Sequence, residues 1–168
     1  MDLKEFTKQM SDSAFTIEQV LKNVTQEQSQ WKPSAREWSI LEVINHLYDE
    51  EIADFRERLD MVINHSDENW KPNNPEAWVK ERNYNKRDLD KSIANFLNER
   101  NKSIAWLLQL SSPDWNSFHE HPNFGKLYAG DLINSWLAHD YLHLRQIINL
   151  KIKQITESAK PFSINYAG

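Results

Sequence analysis

The stretch that decides the fold is Ser135-Trp136-Leu137-Ala138-His139-Asp140-Tyr141-Leu142-His143-Leu144-Arg145-Gln146-Ile147. It is typical of an α-helix, and its two histidines, His139 and His143, are four residues apart. Four residues of a helix rise about 6 Å and turn just past one revolution, so both imidazoles leave the same face. Three large apolar residues share that arc, which we therefore expect to face inward: Leu132, Trp136 and Leu150.

Two imidazoles on one face suit a divalent metal, because each neutral ring offers one lone pair along a fixed direction. Two ligands do not hold a metal tightly, so a third is needed, and His46 is the candidate because it lies on a different predicted helix. Three imidazoles would leave a coordination position open to water or substrate, as in catalytic sites. The alternative is that the histidines are structural and only form hydrogen bonds.

Length and composition predict one helical domain, residues 1–168. Hydrophobic residues make up 39% of the chain, which has 7 Trp and only 3 Gly. The absence of cysteine excludes disulfides, thiolate ligands and a cysteine nucleophile, and fits a reducing compartment, so we expect a cytoplasmic protein. We expect no secretory signal, because no basic segment followed by an apolar run opens the sequence, and no membrane span, because no apolar run is long enough. A net charge of −5 argues against nucleic acid as a partner.

Four long helices are predicted from the spacing of apolar residues. The first carries Leu3 to Val24 and the second begins at the capping box Ser39–Glu42 and runs to about Asn64. The third spans Asp88 to Leu110, and the fourth about Gly130 to Lys151. Between them we expect a structured connector at 31–38, a polar loop at 65–84 that either covers a site or merely crosses the surface, and an irregular segment at 115–128. The pattern predicts an all-α four-helix bundle with long crossover connections, and makes no prediction for 153–168.

Other polar residues near the predicted site are weaker candidates. Asp49 and Glu50 lie one turn past His46, where either would act catalytically by orienting a ligand or accepting a proton, although ordinary solvated carboxylates are the alternative. Gln146 is one turn beyond His143 and is a candidate partner of that ring. Two further histidines lie in the irregular segment and are loop histidines by default, with metal binding as the alternative: His119 and His121.

Two segments resemble a known family. Trp38-Ser39-Ile40-Leu41-Glu42-Val43-Ile44-Asn45-His46-Leu47-Tyr48-Asp49-Glu50-Glu51 resembles the Trp-Ser-x-x-Glu-x-x-x-His-Leu-x-Asp-x-Glu element of the DinB/YfiT-like superfamily. The run from His139 to Ile147 is similar to its His-x-x-x-His-x-x-Gln-Ile element, and Trp31-Lys32-Pro33 to its connector. The resemblance implies an up-down-down-up bundle in which His46, His139 and His143 hold zinc, nickel or iron.

The resemblance also implies a function. The family includes metal-dependent transferases that use low-molecular-weight thiols such as bacillithiol, and mycothiol-dependent maleylpyruvate isomerases, whose extra C-terminal domain we expect this chain to lack. A thiol and an electrophile are therefore the expected small-molecule partners, and a homodimer is expected from helix pairing in the family. The alternatives are a metal-dependent hydrolase and a non-catalytic, stress-associated metal-binding or scaffold protein. Three arginines are candidates to pair with co-substrate carboxylates, or are simply surface residues: Arg36, Arg56 and Arg145.

Overall fold

The structure, a computed structural model, describes residues 1–65, 70, 73–121 and 124–167. Its long helices are α1, α3 with α4, α6 and α7, and a π-helical turn joins α3 to α4. Two short helices and a two-stranded sheet lie in the connections between them. The elements are α1 Leu3–Leu21, α2 Gln26–Gln30, α3 Ile40–Glu50, the π turn Glu51–Phe55, α4 Arg56–Asn64, α5 Pro75–Glu81, a 3-10 turn Tyr84–Lys86, α6 Leu89–Gln109, β1 Phe118–His121, β2 Gly125–Tyr128, α7 Ala129–Ser158 and a 3-10 turn Asn165–Ala167.

The helices begin where their capping residues predict. Ser39 Oγ accepts a hydrogen bond from the Glu42 amide at 3.1 Å, and the Glu42 carboxylate accepts one from the Ser39 amide at 2.8 Å. This reciprocal pair satisfies amides that have no partner inside the helix, and it confirms the predicted start of α3. Asp88 caps α6 through a single hydrogen bond, which its carboxylate accepts from the Lys91 amide at 2.9 Å.

Two apolar clusters define the direction of each helix. One joins the second half of α1 to the starts of α3 and α6 and to the second half of α7. The other joins the start of α1 to α4, to the end of α6 and to the start of α7. Therefore α1 and α7 run one way while α3–α4 and α6 run the other, which is the up-down-down-up order. The helix from Ile40 to Asn64 is about 37 Å long at 1.5 Å per residue. Because α3–α4 and α6 are parallel, the connection from 65 to 88 must cover about that distance to reach the start of α6.

The connections are more regular than the sequence predicts. The predicted polar loop contains α5, which begins at the cap Asn74 with Pro75 in the first turn, whereas 66–69 and 71–72 lie outside the described residues. The predicted irregular segment contains the antiparallel pair β1–β2, with Phe118 opposite Tyr128. Elements of four and seven residues are too short to show a period, so the hairpin and α5 depend on packing against the bundle.

The last two differences concern helix geometry. The π turn interrupts the helix predicted to run without a break to Asn64. The wider turn changes the rotation of the residues around it, and Ile52 within it is only half-buried. Helix α7 continues to Ser158 rather than ending at Lys151. Its last two turns carry exposed apolar residues and no inward arc, so the apolar spacing does not predict them. Among the described residues, no helix has the length and apolar character required to span a membrane.

Candidate metal centre

Three histidines from two helices meet inside the bundle. Helices α3 and α7 are neighbours, and they bring His46 Nε2 to 3.2 Å from His139 Nε2. One turn further along α7, His143 Nε2 lies 3.0 Å from the same atom. Within the described part of the chain, this is the one group of three or more His, Cys, Asp or Glu residues whose ligand atoms all lie within 4.8 Å of one another.

The hydrogen-bonding capacity of these rings favours a cation between them. His143 Nδ1 is 2.8 Å from Gln146 Oε1, which can only accept, so Nδ1 carries the proton and Nε2 is a bare lone pair. His139 Nε2 has two ring nitrogens as neighbours but can donate to only one of them. Bonds of 2.0–2.1 Å to one metal would separate ligand nitrogens by about 3.0–3.4 Å, close to the two distances observed. The residues present therefore fit a divalent cation.

Burial keeps these histidines neutral. Burial, reinforced by repulsion from neighbouring rings, lowers the pKa of His46 to about 2 and that of His139 to about 3. Burial also lowers the pKa of His143, partly offset by its hydrogen bond to Gln146. All three lone pairs are therefore available to a metal at neutral pH, without competition from protons.

Aromatic rings enclose the cluster on both sides. Trp38 contacts His46 edge-on, with ring centres 4.9 Å apart, and lies parallel to the His143 ring, with ring centres 6.3 Å apart. Phe55, in the π turn, contacts His139 edge-on at 5.2 Å and stacks on Trp136. These rings restrict the orientations of the imidazoles and keep water from most of their surface.

The structure separates the two predicted catalytic carboxylates. Glu50 Oε1 is 3.7 Å from His46 Nδ1, and each of these buried atoms lacks a hydrogen bond within the described residues. Asp49 instead faces the crossover, where it accepts from the buried Tyr84 hydroxyl and pairs with Arg82 at 2.8 Å. Glu50 thus borders the histidine cluster, Asp49 anchors the returning chain, and the catalytic roles of both stay predictions.

A buried charge cluster beside the site was not predicted. Arg100 is 1% exposed, and its guanidinium contacts Glu51 at 2.6 Å and Asp140 at 2.8 Å. Trp136 Nε1 donates to the same Glu51 oxygen at 2.7 Å. Asp140 next to His139 in an inward segment indicates a buried partner, but 20 Lys and Arg residues are available and their spacing does not single out Arg100.

The other predicted candidates lie elsewhere or act as partners. His119 and His121 are on β1, where His119 stacks on Trp70 with ring centres 4.7 Å apart and His121 meets it edge-on. They are not part of the three-histidine cluster. Gln146 does contact His143, in the position that its spacing predicts.

The pKa values of the histidines are lowered by folding and that of Glu50 is raised, so the metal-free protein should be most stable near pH 6.5. The pKa values of His46 and His139 are lower in the fold than in the unfolded chain, so the unfolded chain binds more protons below pH 6.5 and acid destabilises the fold. Burial, reinforced by Asp54, raises the pKa of Glu50 to about 9, so the fold retains a proton that the unfolded chain has lost above pH 4.5. Above pH 6.5 the effect of Glu50 dominates, and the free energy of unfolding falls with rising pH, with a limiting slope of about 1.4 kcal/mol per pH unit.

Urea unfolding in EDTA at pH 5.5, 6.5 and 8.5 measures this dependence. We expect the free energy of unfolding to fall by about 2 kcal/mol between pH 6.5 and 8.5, because the histidines of the unfolded chain lose their remaining protons in this range and partly offset the effect of Glu50. E50Q, which mimics the protonated carboxyl, should remove that fall, whereas E57Q at an exposed position on the next helix should keep it. A wild-type protein as stable at pH 8.5 as at pH 6.5 would contradict the expectation.

Comparisons with known proteins identify the class of protein that this fold and site define. The sequence profile of the DinB superfamily matches residues 11–147, more than half of the chain. The chain therefore belongs to the DinB superfamily.

Among solved structures, the fold is similar to that of YfiT from Bacillus subtilis, a probable metal-dependent hydrolase with an unusual four-helix bundle topology. The two chains are 16% identical, with a TM-score of 0.78 over 90% of this chain and 87% of that one. At this identity the likeness shows the fold, and it confirms the predicted four-helix bundle. A search among curated proteins finds no match.

Proposed function

We propose that this protein is a metal-dependent S-transferase that joins a low-molecular-weight thiol, such as bacillithiol, to an electrophile. The observation that supports it most directly is the convergence of His46, His139 and His143 with their Nε2 atoms facing one another. Three imidazoles suit zinc or nickel, and also iron, and leave a coordination position for a ligand from outside. A cation there would act as a Lewis acid and lower the pKa of a thiol or water that binds to it.

The residues of the chain orient the ligand histidines. Gln146 holds the His143 ring through Nδ1, so Nε2 faces the cluster. Glu50 is placed to do the same for His46, since Oε1 and Nδ1 face each other at 3.7 Å and a small movement would join them in a hydrogen bond. Such partners fix the tautomer and direction of a ligand ring.

The source of the nucleophile follows from composition. The chain has no cysteine, so a sulfur nucleophile must come from a second small molecule.

The carboxylates of Asp140 and Glu51 are occupied by Arg100. Glu50 contacts a candidate ligand histidine and has no arginine bonded to it. We assign Glu50 the role of positioning His46.

Hydrolysis is the second candidate. The similarity to YfiT, a probable metal-dependent hydrolase, favours it, with water replacing the thiol as the nucleophile. The same three histidines would serve either reaction, so the co-substrate distinguishes them.

One assay compares both reactions. Protein loaded with zinc, nickel or iron is incubated with bacillithiol and 1-chloro-2,4-dinitrobenzene, and separately with 4-nitrophenyl acetate without thiol. We expect a thiol-dependent rate that falls at least about 100-fold in H46A, because a ligand is lost, and is retained in H65A, an exposed histidine on another turn. E50A should reduce metal affinity about 10–100-fold and recover activity at high metal concentration.

The outcomes separate the candidates. A rate with the ester alone would overturn the transferase in favour of the hydrolase. No rate above the metal-free control with any of these metals would overturn both and leave the non-catalytic metal-binding or scaffold protein.

A further inference from the structure

A groove of about 430 Å³ runs beside the three histidines. Its walls are the connector that precedes α3 and the second half of α7. His143 belongs to its lining, so a molecule lying in the groove would contact one of the ligand rings. It is also large enough for a small organic molecule.

Part of the groove lining is aromatic and aliphatic. The Trp38 indole lies parallel to the His143 ring, with an angle of 4° between their planes. Leu150 contributes a buried aliphatic side chain from one of the core clusters. A planar or aliphatic group would therefore replace water against these side chains favourably.

The charged side chains of the lining are Arg36, Lys153 and Glu37, which leaves one positive charge in excess. Lys153 from α7 pairs with Glu37 from the connector, which neutralises both and joins the two walls. Arg36 is exposed and forms no ion pair within the described residues. The single unpaired cation of the lining is therefore Arg36, in a chain whose net charge is −5.

The structure distinguishes Arg36 from the other two candidate arginines. Arg56 already pairs with Glu99 at 3.0 Å and donates to Ser103. Arg145 is exposed on α7 but does not line the groove. Of the three, Arg36 combines an available guanidinium with a place in the groove wall, and its planar fork matches a carboxylate.

We propose that this groove binds a small organic carboxylate, with its apolar part against Trp38 and Leu150 and its carboxylate on Arg36. This carboxylate is the thiol or the electrophile of the proposed reaction, so its catalytic meaning rests on the proposed function. The binding itself depends on the groove and not on the metal. Arg36 is therefore the residue that determines specificity for anionic molecules.

Two probes of equal shape test the inference: 3-phenylpropionate and its uncharged analogue 3-phenylpropionamide. Their binding is followed by tryptophan fluorescence and calorimetry, once in EDTA and once with zinc-loaded protein. We expect wild-type protein to bind the acid about tenfold more tightly than the amide in both forms, since a charge-assisted contact at a partly exposed site is worth about that factor. R36Q should bind both probes equally, and the matched variant R145Q should keep the wild-type preference.

Equal affinity for the two probes in wild-type protein, no detectable binding of either, or a preference that survives in R36Q would overturn the proposal. A preference seen only with zinc and retained in R36Q would place the carboxylate on the metal, and would also overturn it. The proposed function is tested separately by the metal content and by the rate with 2-mercaptoethanol, a thiol without a carboxylate. Those two readouts do not depend on Arg36.

Discussion

Replacing Arg100 by methionine should lower the free energy of unfolding by about 3–5 kcal/mol. The guanidinium contacts carboxylates from two other helices, Glu51 and Asp140, and all three side chains are almost completely buried. Removing the cation leaves two carboxylates close together without a partner in a region of low dielectric constant. The methionine keeps most of the volume, so the loss reports the uncompensated charges rather than a cavity.

Urea denaturation followed by circular dichroism measures the loss. Lys102 on the same helix is the matched control, because it pairs with Glu99 but is 57% exposed. K102M should change the free energy of unfolding by less than about 1 kcal/mol, as expected for an exposed ion pair. If R100M is destabilised no more than K102M, the buried cluster is not the stabilising contact that the geometry indicates.

Removing one of the three candidate ligand rings should abolish stable metal binding. H143A leaves two imidazoles at the site. We expect metal affinity to fall by more than about 100-fold, because loss of a residue that only hydrogen-bonds to a ligand already costs about 10–100-fold. Protein purified without a histidine tag should carry close to one metal ion per chain, and H143A close to none, by elemental analysis. A zinc titration with a competing chelator gives the change in affinity.

H65A provides the control, since His65 is exposed at the end of α4, outside the cluster. It should retain the wild-type metal content. Low metal content in wild-type protein that H143A leaves unchanged would mean that the histidines are structural and only form hydrogen bonds.

Local sequence signals predicted the helices that carry the site. The capping box at Ser39 places the first turn of α3, and therefore the height of His46, through contacts between residues three apart. The spacing of His139 and His143 is also local, because one helical turn relates them wherever the helix lies. The choice of His46 as the third candidate ligand needed only the expectation that two helices of a bundle face each other.

Contacts between distant segments account for the features of the site and of the connections that the sequence does not predict. Asp49 and Glu50 are adjacent and equally acidic, and only the returning chain with Tyr84 and Arg82 separates their surroundings. The hairpin, α5 and the π turn are too short to produce a period in the sequence. The local sequence does not distinguish the roles of three arginines. Packing makes Arg56 a partner of Glu99, buries Arg100, and places Arg36 in the groove wall.

By itself, the sequence determined which long helices form and that three histidines are available on two of them, because caps and periodicity act over a few residues. Only the tertiary structure decided that the three rings lie together, that Glu50 rather than Asp49 borders them, and that a groove lined by Arg36 lies alongside. Those features depend on how far apart two helices lie and how each is rotated, which is set by the packing of the whole bundle.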